Sequence, residues 1–268
     1  MSQVRPAAVA GAFYPGNGQI LSRDLDAMLG DLSAASGPLP KAVIVPHAGY
    51  IYSGPIAASA YQRLAPGRGL IKRVVLLGPA HRVPVRGLAL PDVDHFATPL
   101  GLVAIDHAGC DVIRDLPQVS VNAAAHAMEH SLEVQLPFLQ KVLGEFSLIP
   151  LVVGDTTAEA VAEVLACLWG GPETLIVISS DLSHYLPYAM AQKVDKQTTD
   201  MILGFKTGIN HEQACGGTPV NGLLLAAKQR DLVPELLDLR NSGDTAGDPD
   251  HVVGYAAFAF SAPAPHAH

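Results

Sequence analysis

The sequence predicts a three-layer α/β protein, in which a mostly parallel or mixed central sheet carries helices on both faces. Short apolar runs of strand length alternate along the chain with longer segments that have helical spacing. Runs that are apolar at every position are typical of strands covered on both faces, and strands alternating with helices indicate a parallel sheet between helix layers. With 268 residues, 49% of them apolar and 16% charged, the chain can build one large core, so we expect a single domain over residues 1–268.

Six segments are predicted to be strands. Four of them are rich in β-branched residues and are expected in the centre of the sheet: Lys41–Val45, Arg73–Leu77, Leu148–Val153 and Thr174–Ile178. The last two, Leu236–Asn241 and His251–Phe260, are separated by the turn-rich segment SGDTAGDPD. We expect this closing pair to add an antiparallel edge to the sheet.

Helices are predicted between these strands. Their ranges are Gly54–Leu64, Glu129–Leu143, Ala158–Trp169, Pro187–Phe205 and a last helix from the cap and first turn Thr218–Pro219 to about Gln229. In the second of them, Leu132, Leu136 and Leu139 recur at helical spacing and mark a core-facing stripe. The final segment, residues 261–268 (SAPAPHAH), is predicted to be a disordered tail in which His266 and His268 are solvated.

Composition argues against several classes of protein. A net charge of −8 without any lysine or arginine cluster argues against a nucleic-acid partner. No apolar run approaches the ~20 residues that span a bilayer, and prolines and a glycine interrupt the first 18 residues, which makes a poor signal peptide. Three cysteines, Cys110, Cys167 and Cys215, do not form a disulfide framework and suit a reducing compartment. We therefore expect a soluble cytoplasmic protein without membrane contact.

Common catalytic motifs are also missing. The sequence has no G-x-x-x-x-G-K-[ST] and no G-x-G-x-x-G after a strand, so phosphate-cradling loops are not predicted. It also has neither a G-x-S-x-G elbow nor an H-E-x-x-H pair. The chemistry must therefore be sought in other residues.

Histidines follow three of the four central strands. KAVIV leads into His47, RVVLL leads into His81, and TLIVI leads into Asp181 and His184. A single histidine is usually a hydrogen-bonded or surface residue, but ligands of open α/β sheets bind outside the carboxyl ends of the strands. Histidines at three such ends predict one shared site, and imidazole is the commonest transition-metal ligand in proteins.

A cysteine and two helix-start residues are further candidates. Cys215 precedes a predicted helix, and a helix N-terminus lowers a thiol pKa, which favours metal ligation or nucleophilicity. The alternative is a buried packing residue, the interpretation that we apply to Cys110 and Cys167. Glu129 and His130 open a predicted helix, where Glu129 is either a structural complement to the dipole or part of the site and His130 is a possible proton carrier.

Asp181 and His184 stand three residues apart, which places both on one face of a helical turn if the segment is helical. A carboxylate that orients a histidine is a recurring feature of metal and catalytic sites. We therefore expect Asp181 to orient His184.

Several of these segments resemble one family. They are AGAFYPG (10–16), PHAGYIYSG (46–54), GPAH (78–81), EHSLEVQLPFL (129–139), IPLVVG (149–154), SSDLSH (179–184) and CGGTP (215–219). In this order they resemble the Memo family, the "B" component of the AmmeMemoRadiSam system, over residues 5 to 260. Taken together these matches are far more specific than any one of them.

The resemblance implies a fold similar to that of class III extradiol, non-haem iron dioxygenases. It also implies that His47, His81 and Cys215 are metal ligands. Asp181 and His184 would line the same cavity, and Phe13 and Tyr52 would form aromatic walls of the pocket. The dioxygenases hold iron with two histidines and a carboxylate. Here a cysteine stands in place of the carboxylate, and its softer thiolate extends the candidate metals to copper and zinc.

The leading hypothesis is a metal-dependent, dioxygenase-like oxidoreductase that acts on a small, possibly aromatic substrate. Its cofactor is a divalent or redox metal, with iron as first choice and copper or zinc as alternatives. In this hypothesis His184 is the general acid/base, Asp181 orients it, His130 is a reserve proton carrier, and Glu129 joins Phe13 and Tyr52 in the substrate pocket.

Two other functions stay open. One is a non-catalytic module that binds a metal or a peptide. The other is a zinc-dependent hydrolase with Asp181 or Glu129 as base. The resemblance also implies a radical-SAM protein and an AMMECR-type protein as possible partners.

Overall fold

The computed structural model describes residues 2–30 and 36–263, and in these ranges the chain forms one α/β domain around a mixed sheet. The twelve strands of the described part are β1 Val4–Arg5, β2 Ala42–Val45, β3 Arg73–Pro79, β4 Leu88–Leu90, β5 His95–Thr98, β6 Gly101–Ile105, β7 Val119–Val121, β8 Ser147–Val153, β9 Thr174–Ser179, β10 His184–Leu186, β11 Val233–Asn241 and β12 Val252–Ser261. Its eight α-helices are α1 Gly18–Leu29, α2 Tyr50–Arg63, α3 His107–Ile113, α4 Ala123–Ala127, α5 Leu136–Leu143, α6 Ala158–Leu168, α7 Tyr188–Leu203 and α8 Gly217–Lys228.

The four strands predicted for the centre of the sheet are neighbours there. They lie in the order β2, β9, β3, β8, and each pair is parallel. Almost all of their residues are buried. This agrees with the continuous apolar runs, because a parallel strand between two helix layers has no face that meets water.

Helices cover the sheet in two groups. Helices α1, α2 and α5 contact one another, and α6 contacts both α3 and α8. Helix α7 packs against β11 and β12 instead. The three-layer α/β class expected from the sequence is confirmed. No described helix has both the length and the apolar character needed to cross a membrane.

The closing strands add the expected antiparallel pair to one side of the sheet. Strand β12 is antiparallel to β2 on one side and to β11 on the other, so β12 joins the pair to the parallel strands and β11 takes the outer position. Nine of the ten residues of β12 are buried, including Ser261. The predicted tail over 261–268 is therefore wrong at Ser261, and residues 264–268, with His266 and His268, lie outside the described residues.

The helix predicted over Glu129–Leu143 begins later than expected. The described chain has no helix at residues 129–132, then a 3-10 turn at Glu133–Gln135, and then α5 from Leu136. Leu136 and Leu139 are buried in α5 as predicted. The segment that carries Glu129 and His130 is therefore a non-helical connection between α4 and the 3-10 turn. In this conformation both side chains can point toward the strand ends.

Candidate metal centre

The carboxyl ends of β2, β9 and β3 bring three polar side chains to one edge of the sheet. His47, Asp181 and His81 each stand two residues beyond the end of their strand. Because these strands are adjacent and parallel, their ends lie side by side. The rings of His47 and His81 are 5.2 Å apart, centroid to centroid.

His130 adds a third imidazole from the connection before the 3-10 turn. Its ring centroid is 4.6 Å from that of His81 and 5.4 Å from that of His47. One ring nitrogen from each of the three histidines lies within 4.8 Å of the others, a spacing that suits a metal ion. The buried Nδ1 atom of His130 has no hydrogen-bond partner among the described residues. The sequence predicted a proton carrier at this position and did not predict a possible ligand.

A serine determines which nitrogen of His47 faces the cavity. The Ser179 hydroxyl donates to the Ser131 carbonyl oxygen at 2.6 Å and accepts from the Gln135 side-chain amide at 2.8 Å. Its single hydrogen is thus used, so the third contact, 2.9 Å from His47 Nδ1, has the imidazole as donor. His47 Nε2 therefore carries the free lone pair that a metal needs.

A carboxylate does the same for His81. Glu129 accepts four N–H groups: the backbone and Nδ1 of His81, at 2.6 and 2.9 Å, and the backbone N–H groups of His130 and Ser131, both at 2.9 Å. Burial opposes ionisation, but these hydrogen bonds, led by the one from His81 Nδ1, lower the pKa of Glu129 to about 2. The ionised carboxylate can only accept, so Nδ1 of His81 donates and Nε2 is left for a ligand.

This role differs from the one expected for Glu129. The residue is 2% exposed and lies behind the His81 ring, where it orients the imidazole rather than forming the pocket surface. Such a carboxylate–histidine pair is the usual support of a metal-ligating histidine.

Two of the three imidazoles are neutral at physiological pH. Burial, with the neighbouring His81 and His184, lowers the pKa of His47 to about 3. Burial, with His47 and His81, lowers the pKa of His130 to about 4. A neutral imidazole is the form that coordinates a metal, so neither ring must lose a proton first.

Cys215 lies against the same cavity from the opposite side. It directly precedes Gly216, which caps α8, and its Sγ is 3.3 Å from His47 Nε2. Its other contacts are longer: 3.7 Å to the carbonyl oxygen of Asp181 and 4.0 Å to Ser180 Oγ.

The thiol itself is not activated as expected. Burial first, and then the Asp181 charge, raises the pKa of the Cys215 thiol to about 12. The predicted lowering by a helix N-terminus is wrong, because desolvation and a nearby carboxylate outweigh the few N–H groups of α8. The protonated thiol is therefore the donor to the lone pair of His47 Nε2.

Asp181 and His184 do not share a helical turn. His184 begins β10 and pairs with Val253 of β12, and Gly254 of the same strand accepts from Leu182 N and donates to Ser183 O, both at 2.8 Å. These backbone bonds pull the segment into the sheet, so the expected helical turn is wrong.

The two side chains also have different surroundings. Asp181 accepts from the backbone N–H of His47 at 2.7 Å, and its second oxygen is 4.0 Å from His47 Nε2. Burial raises the pKa of Asp181. Between residues 36 and 263 no hydrogen bond joins Asp181 to His184, and His184 lines a cavity together with His81 and Cys215.

A family model described as "Memo-like protein" matches residues 5–259. The chain belongs to the Memo family. Three relatives, each called "MEMO1 family protein", come from Aquifex aeolicus, Methanopyrus kandleri and Methanococcoides burtonii. The chain is 37%, 36% and 36% identical to them, over 96%, 96% and 95% of its length and 99%, 98% and 98% of theirs. The resemblance seen in the motifs is thus confirmed.

A solved structure shares the architecture. The crystal structure of an uncharacterized protein from Escherichia coli K12 aligns with 80% of this Memo-family chain, and the alignment covers 98% of the Escherichia coli chain, with a TM-score of 0.50 and 12% sequence identity. At this identity the likeness concerns the fold alone. It is consistent with the extradiol-dioxygenase-like α/β fold that the sequence predicts.

Phe13 and Tyr52 line a second, apolar pocket of about 520 Å³ beside the histidines of this Memo-family site. The ring of Phe13 is 4.7 Å from that of His130. The Phe13 carbonyl oxygen accepts from Tyr50 N at the start of α2, which ties the N-terminal segment to the site. Their assignment to a substrate stays a prediction.

Two residues of the site had no signal in the sequence. Ser179 is the last residue of β9 and orients His47, but nothing in the amino-acid sequence distinguishes it from the adjacent Ser180. Tyr255 is a buried residue of β12 whose pKa is raised by burial and by the Asp181 charge. Tyr255 lies on β12, whose position between β2 and β11 was not predicted.

The donor set fits a transition metal. The three imidazoles of His47, His81 and His130 form a nitrogen donor set that zinc, copper and iron accept, and Nδ1 of His130 lies 3.3 Å from a Glu129 oxygen. The Cys215 thiol stands outside this group, 3.3 Å from His47 Nε2. A group of three histidines able to hold a metal is therefore present in this Memo-family protein, whatever the metal is.

Proposed function

We propose that the protein binds one transition metal through His47, His81 and Cys215 and uses it to oxidise a small substrate. The observation that carries the proposal is the orientation of two imidazoles. Ser179 and Glu129 hold the Nδ1 atoms of His47 and His81, so both Nε2 atoms carry a lone pair, and the Cys215 thiol lies 3.3 Å from that of His47. Support of this kind at Nδ1 is the usual arrangement of a metal-ligating histidine.

Iron is the metal that we propose first, with O₂ as the oxidant, and copper is the alternative because a thiol is a softer ligand than a carboxylate. Zinc has no redox chemistry and suits only the functions without an oxidation step. When bound, the metal supplies Lewis acidity and, for iron or copper, redox chemistry.

The chain's own residues have separable tasks. Glu129 and Ser179 position the ligating rings. His184 lines the cavity beside His81 and Cys215, where it can hold or pass a proton of a bound substrate. Asp181 faces His47 rather than His184, so we assign it to the positioning of the His47 segment and to the local charge.

A second candidate is a non-catalytic module that holds the metal. His130 favours it, because its imidazole lies within metal-binding distance of His47 and His81, and the Cys215 thiol beside His47 would complete a four-coordinate shell without a position for substrate, as in structural zinc sites. The oxidoreductase requires instead that His130 stays off the metal.

Metal analysis of anaerobically purified protein tests the proposal. We expect about one metal per chain in the wild type and a large loss in Cys215→Ser. His107→Ala, an exposed histidine in α3, is the matched control and should keep its metal. A metal content that is unchanged in Cys215→Ser and in His47→Ala would contradict the site.

His130→Ala distinguishes the two candidates. An oxidoreductase with three ligands keeps its metal in this variant, whereas a four-ligand holding site loses it. Oxygen consumption by the metal-loaded wild type in the presence of reductant and small aromatic or phenolic compounds is the second measurement. The absence of oxygen uptake with every metal would contradict the oxidoreductase.

The family resemblance alone motivates our proposal of a radical-SAM protein and an AMMECR-type protein as partners. Co-purification of the tagged chains is the direct test.

A further inference from the structure

A cavity of about 910 Å³ extends from the metal centre along helix α7. One end is lined by His81, His184 and Cys215, which are the polar side chains of the site. The side toward α7 is apolar and is formed by Leu186, Met190 and Val194. The cavity therefore has a polar end and an apolar side.

Two apolar side chains of α7 form a short stripe on this side. Met190 and Val194 stand at positions i and i+4, so they share one face and span ~6 Å along the helix axis, and the polar Gln197 follows at i+7. Met190 is 51% exposed, although methionine is usually buried. Exposure of a large apolar side chain inside a concave surface indicates an apolar ligand more strongly than exposure on a convex one.

A β-bulge aims the neighbouring residues into this cavity. The register between β10 and β12 shifts between His184 and Leu186, and Tyr185 is the extra residue, with a left-handed φ of 58°. Tyr185 is 72% exposed, while His184 and Leu186 both line the cavity. Bulges often re-aim side chains next to active sites, and here the bulge joins the polar end to the apolar side.

The wall opposite α7 is polar and firmly held. The Asn210 side chain accepts from the backbone N–H groups of Glu212 and Gln213, both at 3.0 Å. The Gln213 amide contacts Met201 Sδ of α7 at 3.6 Å, and the His211 ring is 3.1 Å from the carbonyl oxygen of Cys215. The cavity is thus preformed between α7 and this loop.

We infer that this cavity binds the unbranched apolar tail of an amphiphilic small molecule, with its polar head at the histidines and the cysteine. The position of the head rests on the metal site proposed above, whereas the position of the tail rests on α7 alone. The tail lies against Met190 and Val194, and the polar wall with Asn210 and Gln213 stays in contact with water. A compact aromatic substrate without a tail leaves this stripe unused.

A homologous series of n-alkanehydroxamates tests this inference, because the head chelates transition metals and only the tail varies. Acetohydroxamate, butanohydroxamate and hexanohydroxamate are titrated calorimetrically into zinc-loaded and metal-free protein. Each methylene that reaches the stripe should tighten binding by about fourfold, from ~0.8 kcal/mol per buried methylene. The length dependence should appear in both forms of the protein.

Variants locate the tail. Met190→Asp and Val194→Asp place a charge on the stripe and should reduce the gain per methylene to less than twofold, while Met190→Leu should preserve it. Val112→Asp changes a 61%-exposed valine on α3 and is the matched control, expected to behave as the wild type. Circular dichroism shows whether each variant is folded.

The outcomes separate the two proposals. Affinity that is independent of chain length in the zinc-loaded protein overturns the tail site and leaves the metal site intact. A full length dependence combined with an overall affinity that zinc does not raise supports the tail site and contradicts the metal site. An unchanged length dependence in both aspartate variants overturns the assignment to α7.

Discussion

The two sides of the metal centre are built in different ways. On the strand side, short hydrogen bonds from Ser179 and Glu129 determine the orientation of His47 and His81. On the loop side, Cys215 stands just before α8, and its sulfur has contacts of 3.3 to 4.0 Å and a proton. In the site that we propose, the strand side is oriented before a metal binds, and the loop side would release a proton on binding.

The two sides therefore contribute differently to metal affinity and to its pH dependence. Rings that are already oriented lose little conformational entropy on binding a ligand, so they contribute affinity without a conformational change. A thiol that is protonated in the free protein couples binding to proton release. Each prediction below tests one of the two sides.

The largest effect is expected on the strand side. Glu129→Ala leaves four N–H donors without their buried acceptor. We expect the free energy of unfolding to fall by about 3 kcal/mol and metal affinity to fall by about 100-fold. Urea denaturation and metal competition titrations measure the two losses, and Glu145→Ala, at an exposed glutamate, is the control. A metal affinity in Glu129→Ala equal to that of the wild type would show that His81 does not need the hydrogen bond to Glu129 in order to bind a metal.

Ser179→Ala tests the other support on the same side. Without the hydroxyl, His47 Nδ1 loses its acceptor and the ring can rotate or exchange its tautomer. Metal affinity should fall by about tenfold. Ser59→Ala in α2 removes a hydroxyl that bonds to Asp238 rather than to the site, and it should leave affinity unchanged. An equal loss in both variants would indicate a general loss of stability.

The loop side is tested by the pH dependence of binding. Since the pKa of Cys215 is raised to about 12, the proton competes with the metal, and affinity should rise tenfold per pH unit between about pH 7.5 and 9, where unperturbed histidines are neutral. His47 and His130, with pKa values of about 3 and 4, add no slope there. Cys215→Ser should abolish the slope. Identical slopes in the two proteins would remove the thiol from the site.

The smallest effect is expected from the loop that leads to Cys215. Asn210→Ala removes the acceptor of two backbone N–H groups at an exposed position. Metal affinity should fall by about threefold, the net value of a weak hydrogen bond. Asn17→Ala is the matched control: it removes the cap of α1 and should lower stability by ~1 kcal/mol without changing affinity. A tenfold loss in Asn210→Ala would place more of the affinity on the loop than we expect.

The central strands could be predicted because their burial leaves a continuous apolar run in the sequence. Strands β4 to β7 could not, since they are only three to five residues long, and of these four only β4 is buried at every position. Helix α1 was not predicted, although the sequence indicates it: Asn17 caps it, and Leu21, Leu25 and Leu29 recur every fourth residue.

The same distinction holds for the site. His47 and His81 follow recognisable strands, so their convergence could be predicted from the sequence. The position of His130 depends on a non-helical connection, and the tautomer of His47 depends on three hydrogen bonds to one serine hydroxyl. The thiol pKa depends on burial that only the packed structure shows. Neighbours distant in sequence decide all three properties.

Gly254 ties the segment that carries Asp181 and His184 to a strand that is synthesised late. Its backbone holds Leu182 and Ser183, and a Cβ atom at this position would lie 2.0 Å from a carboxylate oxygen of Asp195. Strands β2, β3, β8 and β9 all emerge from the ribosome before β12. A nascent chain can therefore assemble its parallel core while the segment with Asp181 and His184 still lacks its anchor.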